Sequence, residues 1–251
     1  MNKYKKTIFV TGATSGVGLK TTELLVAQGH TVYATGRNAV ALKVLERLGA
    51  HVIQADLTNL HTLDDVCSQL PPIDVAILSA GVGKFAVAPA LKDVDIAQMI
   101  ELNVSVPIYL AKRLASAMMA QQHGHLIFIG SQAGKVATPK ASVYAATKHA
   151  IVGFTNGLRM ELAPYNVKVT AIHPGPIDTP FLDKANDAGG YRESLGRFLL
   201  SAEEVAQATV QTIDRPVREV NLPRIMGLSS KLYALAPATI EFLGKSFFNK
   251  K

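Results

Sequence analysis

Cysteine is almost missing from this chain: Cys67 is the only one among 251 residues. An intrachain disulfide framework is excluded, which fits a reducing compartment or one where disulfides are not needed. Long apolar runs are missing as well. No stretch approaches the roughly twenty apolar residues that a membrane-spanning helix requires. The first apolar run, Thr7-Ile8-Phe9-Val10, is too short for the core of a signal peptide and leads at once into glycine. A soluble, cytoplasmic protein is expected. There is no zinc-ligand set, so no metal site is expected, and no dense Lys/Arg stripe with interleaved aromatics. The formal charge of +7 suits an anionic cofactor, and also weak attraction to nucleic acid or a membrane surface. A solvated positive surface is the plainer reading, and no specific nucleic-acid partner is expected. Charged residues make up only 18% of the chain against 48% hydrophobic, which marks it as ordered and globular.

What is present is a repeated alternation of short β-branched runs with longer amphipathic segments. Ile8-Phe9-Val10 precedes a helix expected from about Val17 to Gln28, and Thr31-Val32-Tyr33-Ala34 precedes one from Ala39 to Leu48. Val52-Ile53, Val75-Ala76-Ile77-Leu78, Leu126-Ile127-Phe128-Ile129 and Val167–Ile172 read as further strands, apolar enough to be buried on both faces. Two long helical stretches span Val94–Gln122 and Val143–Leu162; Pro107 should kink or interrupt the first, and Pro164 follows the second. No repeat or linker is visible. The pattern predicts a single α/β domain, a doubly wound, Rossmann-like parallel sheet with right-handed crossovers.

Between the first strand and first helix stands Thr11-Gly12-Ala13-Thr14-Ser15-Gly16-Val17-Gly18. Glycines there let backbone approach a pyrophosphate, and the helix N-terminus offers N–H groups and the positive end of its dipole. The spacing departs from G-x-G-x-x-G, so the turn alone is weak evidence. Thr14 and Ser15 add hydroxyls. The second strand ends Ala34-Thr35-Gly36-Arg37-Asn38. An acid here would bind the ribose 2′-hydroxyl of NAD and repel a 2′-phosphate, whereas the Arg37 guanidinium can pair with one. NADP(H) is therefore favoured over NAD(H). Asp56, with Leu57 beside it, follows the third strand; it is placed to accept a hydrogen bond from adenine or to cap the next helix. Ala80-Gly81, after the fourth strand, lets backbone pass close to a cofactor.

Thr11–Gly18, Ser79-Ala80-Gly81, Asn103, Ser131, Tyr144-x-x-x-Lys148 and Pro174-Gly175 occur in one order, spanning most of the chain through residue 179. Each is common alone; together they resemble the short-chain dehydrogenase/reductase family, in its common single-domain branch. Tyr144 and Lys148 are one helical turn apart and share a face. Acid–base work near neutrality needs the phenol, with a pKa near 10, lowered by roughly three units, about 4 kcal/mol. A cation at about 4 Å supplies about that much at an effective dielectric of about 20.

The resemblance implies the roles. Tyr144 would exchange a proton with the substrate oxygen, Lys148 would lower the tyrosine pKa and hold the nicotinamide ribose, and Ser131 would stabilise the developing negative charge. Asn103 would help hold a relay water at a helix irregularity. Pro174, Gly175, Ile177 and Thr179 resemble the nicotinamide-side loop, with Ile177 contacting the carboxamide through its backbone and Thr179 the carboxamide or a phosphate. His173 reads as structural. Ser79 stands where many relatives carry asparagine, which puts one supporting contact in doubt. Family members are commonly homodimers or homotetramers, with the long helices at the interface.

Phe181–Leu200 has the composition of a substrate lid, with Gly189-Gly190 for flexibility and Phe181, Leu182, Tyr191, Phe198 and Leu199 to enclose an apolar molecule. An extension from about 226 to 251 carries apolar residues near helical spacing, interrupted by Pro237. It could cover the pocket, join a subunit interface or lie on a membrane, packing being the plainer reading. The expected activity is carbonyl–alcohol interconversion on a hydrophobic ketone, aldehyde or secondary alcohol. Three alternatives remain: a non-catalytic NADP-binding sensor, which would more naturally have lost one of the three catalytic residues; a 3-oxoacyl-thioester reductase, against which the long tail speaks; and a sugar-nucleotide epimerase, for whose substrate domain there is little room.

Overall fold

The computed structural model describes residues 5–185, 196 and 199–243. Its strands are β1 (Thr7–Thr11), β2 (Thr31–Gly36), β3 (His51–Gln54), β4 (Val75–Leu78), β5 (Gly124–Ile129), β6 (Val167–Pro174), β7 (Ile177–Asp178), β8 (Leu200–Ser201) and β9 (Glu219–Leu222). The helices are α1 (Gly16–Ala27), α2 (Ala39–Leu48), α3 (Leu60–Ser68), α4 (Asp93–Ile100), α5 (Val106–Gln121), α6 (Ser142–Leu162), α7 (Pro180–Ala185), α8 (Ala202–Asp214), α9 (Arg224–Leu235) and α10 (Pro237–Leu243). Seven strands form one sheet in the order β3-β2-β1-β4-β5-β6-β9, every pair parallel, while β7 and β8 pair separately.

Strand residues point alternately to the two faces of a sheet, so an all-apolar strand needs cover on both. Ile8, Val10, Val32, Ile77, Ile127 and Ile172 pack with Leu25 of α1, Leu45 of α2 and Val205 and Ile213 of α8. The intervening Phe9, Ala76, Leu78, Leu126 and Phe128 pack on the other side with Leu63 of α3, Leu110 of α5 and Leu158 of α6. The strand order reverses between β1 and β4, whose carboxyl ends open a crevice; open α/β sheets bind ligands at such a reversal.

Local chemistry fixes the helix ends. Asn38 caps α2 by accepting from the N–H groups of Val40 (3.0 Å) and Ala41 (3.2 Å), and Gly49 ends it in the left-handed region at φ 107°. Ser201 and Glu204 form a reciprocal capping box on α8. The long helix expected from 94 to 122 is indeed interrupted, but ahead of Pro107, by a π-helical turn over Glu101–Ser105. Pro107 lies in the first turn of α5, where its missing N–H is harmless. Among the described residues no helix is long and apolar enough to cross a membrane, and no group of three His, Cys, Asp or Glu could hold a metal ion.

Two buried histidines set an acid limit on this fold. Thr170 gives its hydroxyl proton to the Val217 carbonyl, so His125 Nε2 is assigned as the donor to Thr170 Oγ1 at 2.8 Å. Burial first, then Lys6 and Lys168, push His125 down to about 4; burial and Lys135 do the same to His173. An unfolded chain protonates histidine near about 6.5, so below that pH it binds more protons than the folded one. The contribution of the neutral pair is complete above about pH 6.5 and is lost as pH falls towards about 4. Urea unfolding across this window should show the decline, and His125→Gln should flatten it by up to about 1.4 kcal/mol per pH unit. An unchanged slope would remove His125 from the acid limit.

Candidate active site

A cleft of about 600 Å³ opens at the carboxyl ends of the central strands. One end is built by the turn from β1 into α1. Gly12 and Gly16 adopt φ of 66° and 52°, and a Cβ on Gly12 would stand 2.9 Å from Ala80 Cα. A Cβ on Gly18 would overlap the Gly12 carbonyl oxygen and lie 2.8 Å from its carbon. The Ser15 side chain makes no capping bond to α1, and the first turn has no acid. The first-turn N–H groups and the dipole's positive end are thus left for an anion. Gly12, Ser15, Gly16 and Val17 line the cleft; Thr14 and Gly18 support the turn from behind.

Thr14 packs at the end of β2, where a Cβ on Gly36 would stand 2.5 Å from Thr14 Cγ2. Arg37 follows, beyond the cleft's lining, with Nη1 3.7 Å from Asp56 Oδ2 and both side chains more than half exposed. Such a surface pair is worth at most about 1 kcal/mol, so the guanidinium is readily redirected to a phosphate. Asp56 does not cap α3. It accepts from Thr58 N (3.1 Å) and Oγ1 (2.9 Å), and Asn59 is the cap. Leu57 is buried in the core at 4% exposure, so any contact it makes with a ligand would be through its backbone.

At the other end, α6 presents Tyr144 and Lys148, both buried and both lining the cleft. Lys148 Nζ lies 5.7 Å from the Tyr144 ring centroid and donates to the Ile129 carbonyl at 3.2 Å. Burial pushes this ammonium down to about 8. Ser131 follows β5 by two residues, in extended backbone; its Oγ accepts from Ala133 N at 3.1 Å, so its own proton is available to donate into the cleft.

Asn103 lies in the π turn. Its Oδ1 accepts from Val82 N and its Nδ2 donates to Val82 O, both at 2.8 Å, with a further bond to Thr147 Oγ1 at 3.1 Å. Its amide clamps the loop after β4 to the helix that carries Tyr144. Gly81 must stay small beside it, since a Cβ would stand 3.1 Å from Asn103 Oδ1 and 3.7 Å from Lys148 Nζ. Ala80, Gly81, Pro174, Gly175, Ile177 and Thr179 all line the cleft. Thr179 Cγ2 would lie 3.2 Å from a Cβ on Gly16, which puts this threonine beside the glycine turn.

Several lining residues escaped the sequence reading. The Phe85 ring stands edge-on to Tyr144 at 5.6 Å, and Phe181, read as part of a lid, lies 5.7 Å from Tyr144 and 6.4 Å from Phe85, so the three rings form one cluster. Met226 and Tyr233 of α9 and Ile240 of α10 complete an apolar wall with Leu182, so the C-terminal extension does cover the pocket. Gly189, Gly190, Tyr191 and Phe198 lie outside the described residues. His173 is buried behind the site, not in it. Gln132 donates to its carbonyl (2.7 Å) and to Asn221 Oδ1 (2.9 Å), while Lys135 pairs with Glu219 at 2.8 Å. That polar cluster ties the Ser131 turn to β9.

Comparison with known proteins agrees with this geometry. The family model for short chain dehydrogenases matches residues 6–189. The chain is 32% identical over 237 residues to mouse dehydrogenase/reductase SDR family member 7B, covering 86% of this chain and 72% of that protein. Among solved structures, the closed form of a serine dehydrogenase complexed with NADP+ superposes with a TM-score of 0.81 at 30% identity, over 86% of this chain and 93% of that one. A short-chain dehydrogenase from Sphingobium yanoikuyae in complex with NADPH gives 0.80 at 25% identity, over 95% of both chains. With its glycine turn, π-turn asparagine and Tyr–Lys helix at one parallel-sheet crevice, the chain belongs to the short-chain dehydrogenase/reductase family of oxidoreductases.

Proposed function

We propose that this oxidoreductase interconverts a hydrophobic carbonyl compound and its alcohol with NADP(H). The observation that carries the reading is that Ser131, Tyr144 and Lys148 line the same cleft as the anion-receptive glycine turn. The residues fit a dinucleotide: uncapped amides at α1 for the pyrophosphate, Thr179 beside them, and Arg37 at the end of β2 for a 2′-phosphate. Bound there, the nicotinamide supplies or takes up hydride. The two neighbours named with NADP+ and NADPH support the choice of phosphate form.

In reduction, the Tyr144 hydroxyl gives its proton to the carbonyl oxygen while Ser131 donates to the same oxygen and stabilises its charge. Lys148 stabilises the phenolate left behind, as an ammonium on the tyrosine's own helix. The Asn103 amide is committed to Val82 and Thr147, so its side chain holds the loop after β4 against α6. Phe85, Phe181, Leu182 and Met226 form the apolar wall that favours a hydrophobic substrate.

Turnover of NADPH and NADH against a panel of ketones and aldehydes tests the reading; tight NADPH binding with no turnover across the panel would instead favour a sensor. Arg37→Asp should weaken NADPH by about a hundredfold, since a charge-assisted pair becomes a repulsion, and NADH by only a few-fold. Equal losses for the two cofactors, read by fluorescence titration, would remove Arg37 from the phosphate site.

A further inference from the structure

The helix α9 borders three different environments. Gly227 and Ser230 are buried, and Met226, Ser229 and Tyr233 face the cleft. Ile225, Leu228, Leu232 and Leu235 face outward, between 50% and 84% exposed. At about 3.6 residues per turn these four share one arc of about 80°, not a scatter of single exposed residues. The same helical phase puts the cleft-facing residues along one edge of the arc and exposed Arg224 and Lys231 along the other. On α10, Phe242 adds a further apolar side chain at 80% exposure.

The charges carried by α9 itself are both positive and exposed, Arg224 and Lys231. From Arg215 to Lys251 the sequence carries seven basic and two acidic residues. Both acids have partners: Glu219 accepts from Lys135 at 2.8 Å, and Glu241 from the Tyr233 hydroxyl at 2.6 Å. A two-fold contact through α9 would set two such basic edges against each other, since α9 itself carries no acid. An apolar stripe edged by arginine and lysine has instead the complementarity of an anionic lipid surface, into which leucines insert while the cations meet headgroups.

We infer that α9, with Phe242, is an interfacial docking surface for anionic bilayers. Because the stripe adjoins the cleft-facing edge of the same helix, a lipid-soluble carbonyl compound passes from the acyl region to the cleft along Met226 and Tyr233 with little exposure to water. Only this last consequence rests on the activity proposed above.

The test is flotation of the full chain with vesicles of equal parts phosphatidylcholine and phosphatidylglycerol, beside vesicles of phosphatidylcholine alone. The protein should float with the anionic vesicles only, and salt at about 1 M, which shortens the Debye length to about 3 Å, should release most of it. Leu228→Glu with Leu232→Glu should lower vesicle-bound protein by at least about tenfold while NADPH binding is retained. The single variant Leu235→Glu, at the most exposed position of the stripe, should give a smaller loss and guards against misfolding of the double variant. No flotation with anionic vesicles, equal flotation with both compositions, or equal flotation of wild type and variants would overturn the inference. So would a fall in molecular mass by light scattering in the variants without vesicle binding, which would assign the stripe to a second copy. Flotation needs no turnover, so a failure here leaves the proposed reaction standing, and a failed substrate panel leaves this surface standing.

Discussion

Tyr144→Phe is expected to lower turnover by about 10²- to 10⁴-fold, the range in which a positioned general acid contributes. The substitution removes a hydroxyl and nothing else. The ring keeps its edge contact with Phe85 at 5.6 Å and its place against Phe181 at 5.7 Å, so the wall of the cleft is unchanged. Lys148 keeps its bond to the Ile129 carbonyl, and the glycine turn at the far end is untouched. NADPH affinity should therefore stay within about threefold of wild type, which separates loss of chemistry from loss of binding. Single-turnover kinetics beside a fluorescence titration of NADPH reads both. Turnover that survives in this variant would take the proton from some other group and end the assignment.

The second large effect comes from a methyl group where there is no space. Gly18→Ala places Cβ onto the carbonyl of Gly12, with the carbonyl oxygen of Thr11 3.2 Å away. The obstructing atoms are backbone, so no rotamer change relieves the overlap; the turn between β1 and α1 must open. Overpacking of this kind costs about 1–3 kcal/mol of stability. The loss in function should be larger, because the opened turn no longer aims its amides at a pyrophosphate: NADPH affinity should fall by about a hundredfold or more. Gly153→Ala is the control. Nothing lies within 4 Å of a Cβ there, in the middle of α6, so that change should stabilise the protein by about 0.5–1 kcal/mol. Calorimetry and cofactor titration of the two variants should give opposite signs for stability; a Gly18→Ala protein that binds NADPH normally would show that the turn tolerates widening.

The parts of the molecule that could be read from the sequence are those where one local rule decides. Ile8-Phe9-Val10 and Leu126-Ile127-Phe128 are apolar at every position because both sheet faces are covered. Tyr144 and Lys148 share a face because helical spacing requires it, and the glycine turn is marked by residues that no side chain could replace. What was missed depends on contacts between distant segments. The edge strand β9, Glu219-Val220-Asn221-Leu222, is partly exposed throughout and alternates polar with apolar, so nothing in its own composition marks a buried parallel strand. Phe85 stands in an irregular loop and becomes a cleft residue only because Tyr144 and Phe181 arrive from α6 and α7.

The π turn at Glu101–Ser105 has a consequence for how the long helical region is phased. Val106 N–H reaches back five residues to Glu101, one more than an α-helical bond spans. The inserted residue rotates everything after it by about 100°, so α4 and α5 do not share a continuous stripe. The leading helix can follow one neighbour while the trailing one, with Leu110, Leu114 and Met118 in the core, follows another. Asn103, the residue gained by that miscount, is turned inward to hold Val82. A regular helix through this stretch would be better wound and would deprive the loop after β4 of its two bonds to Asn103.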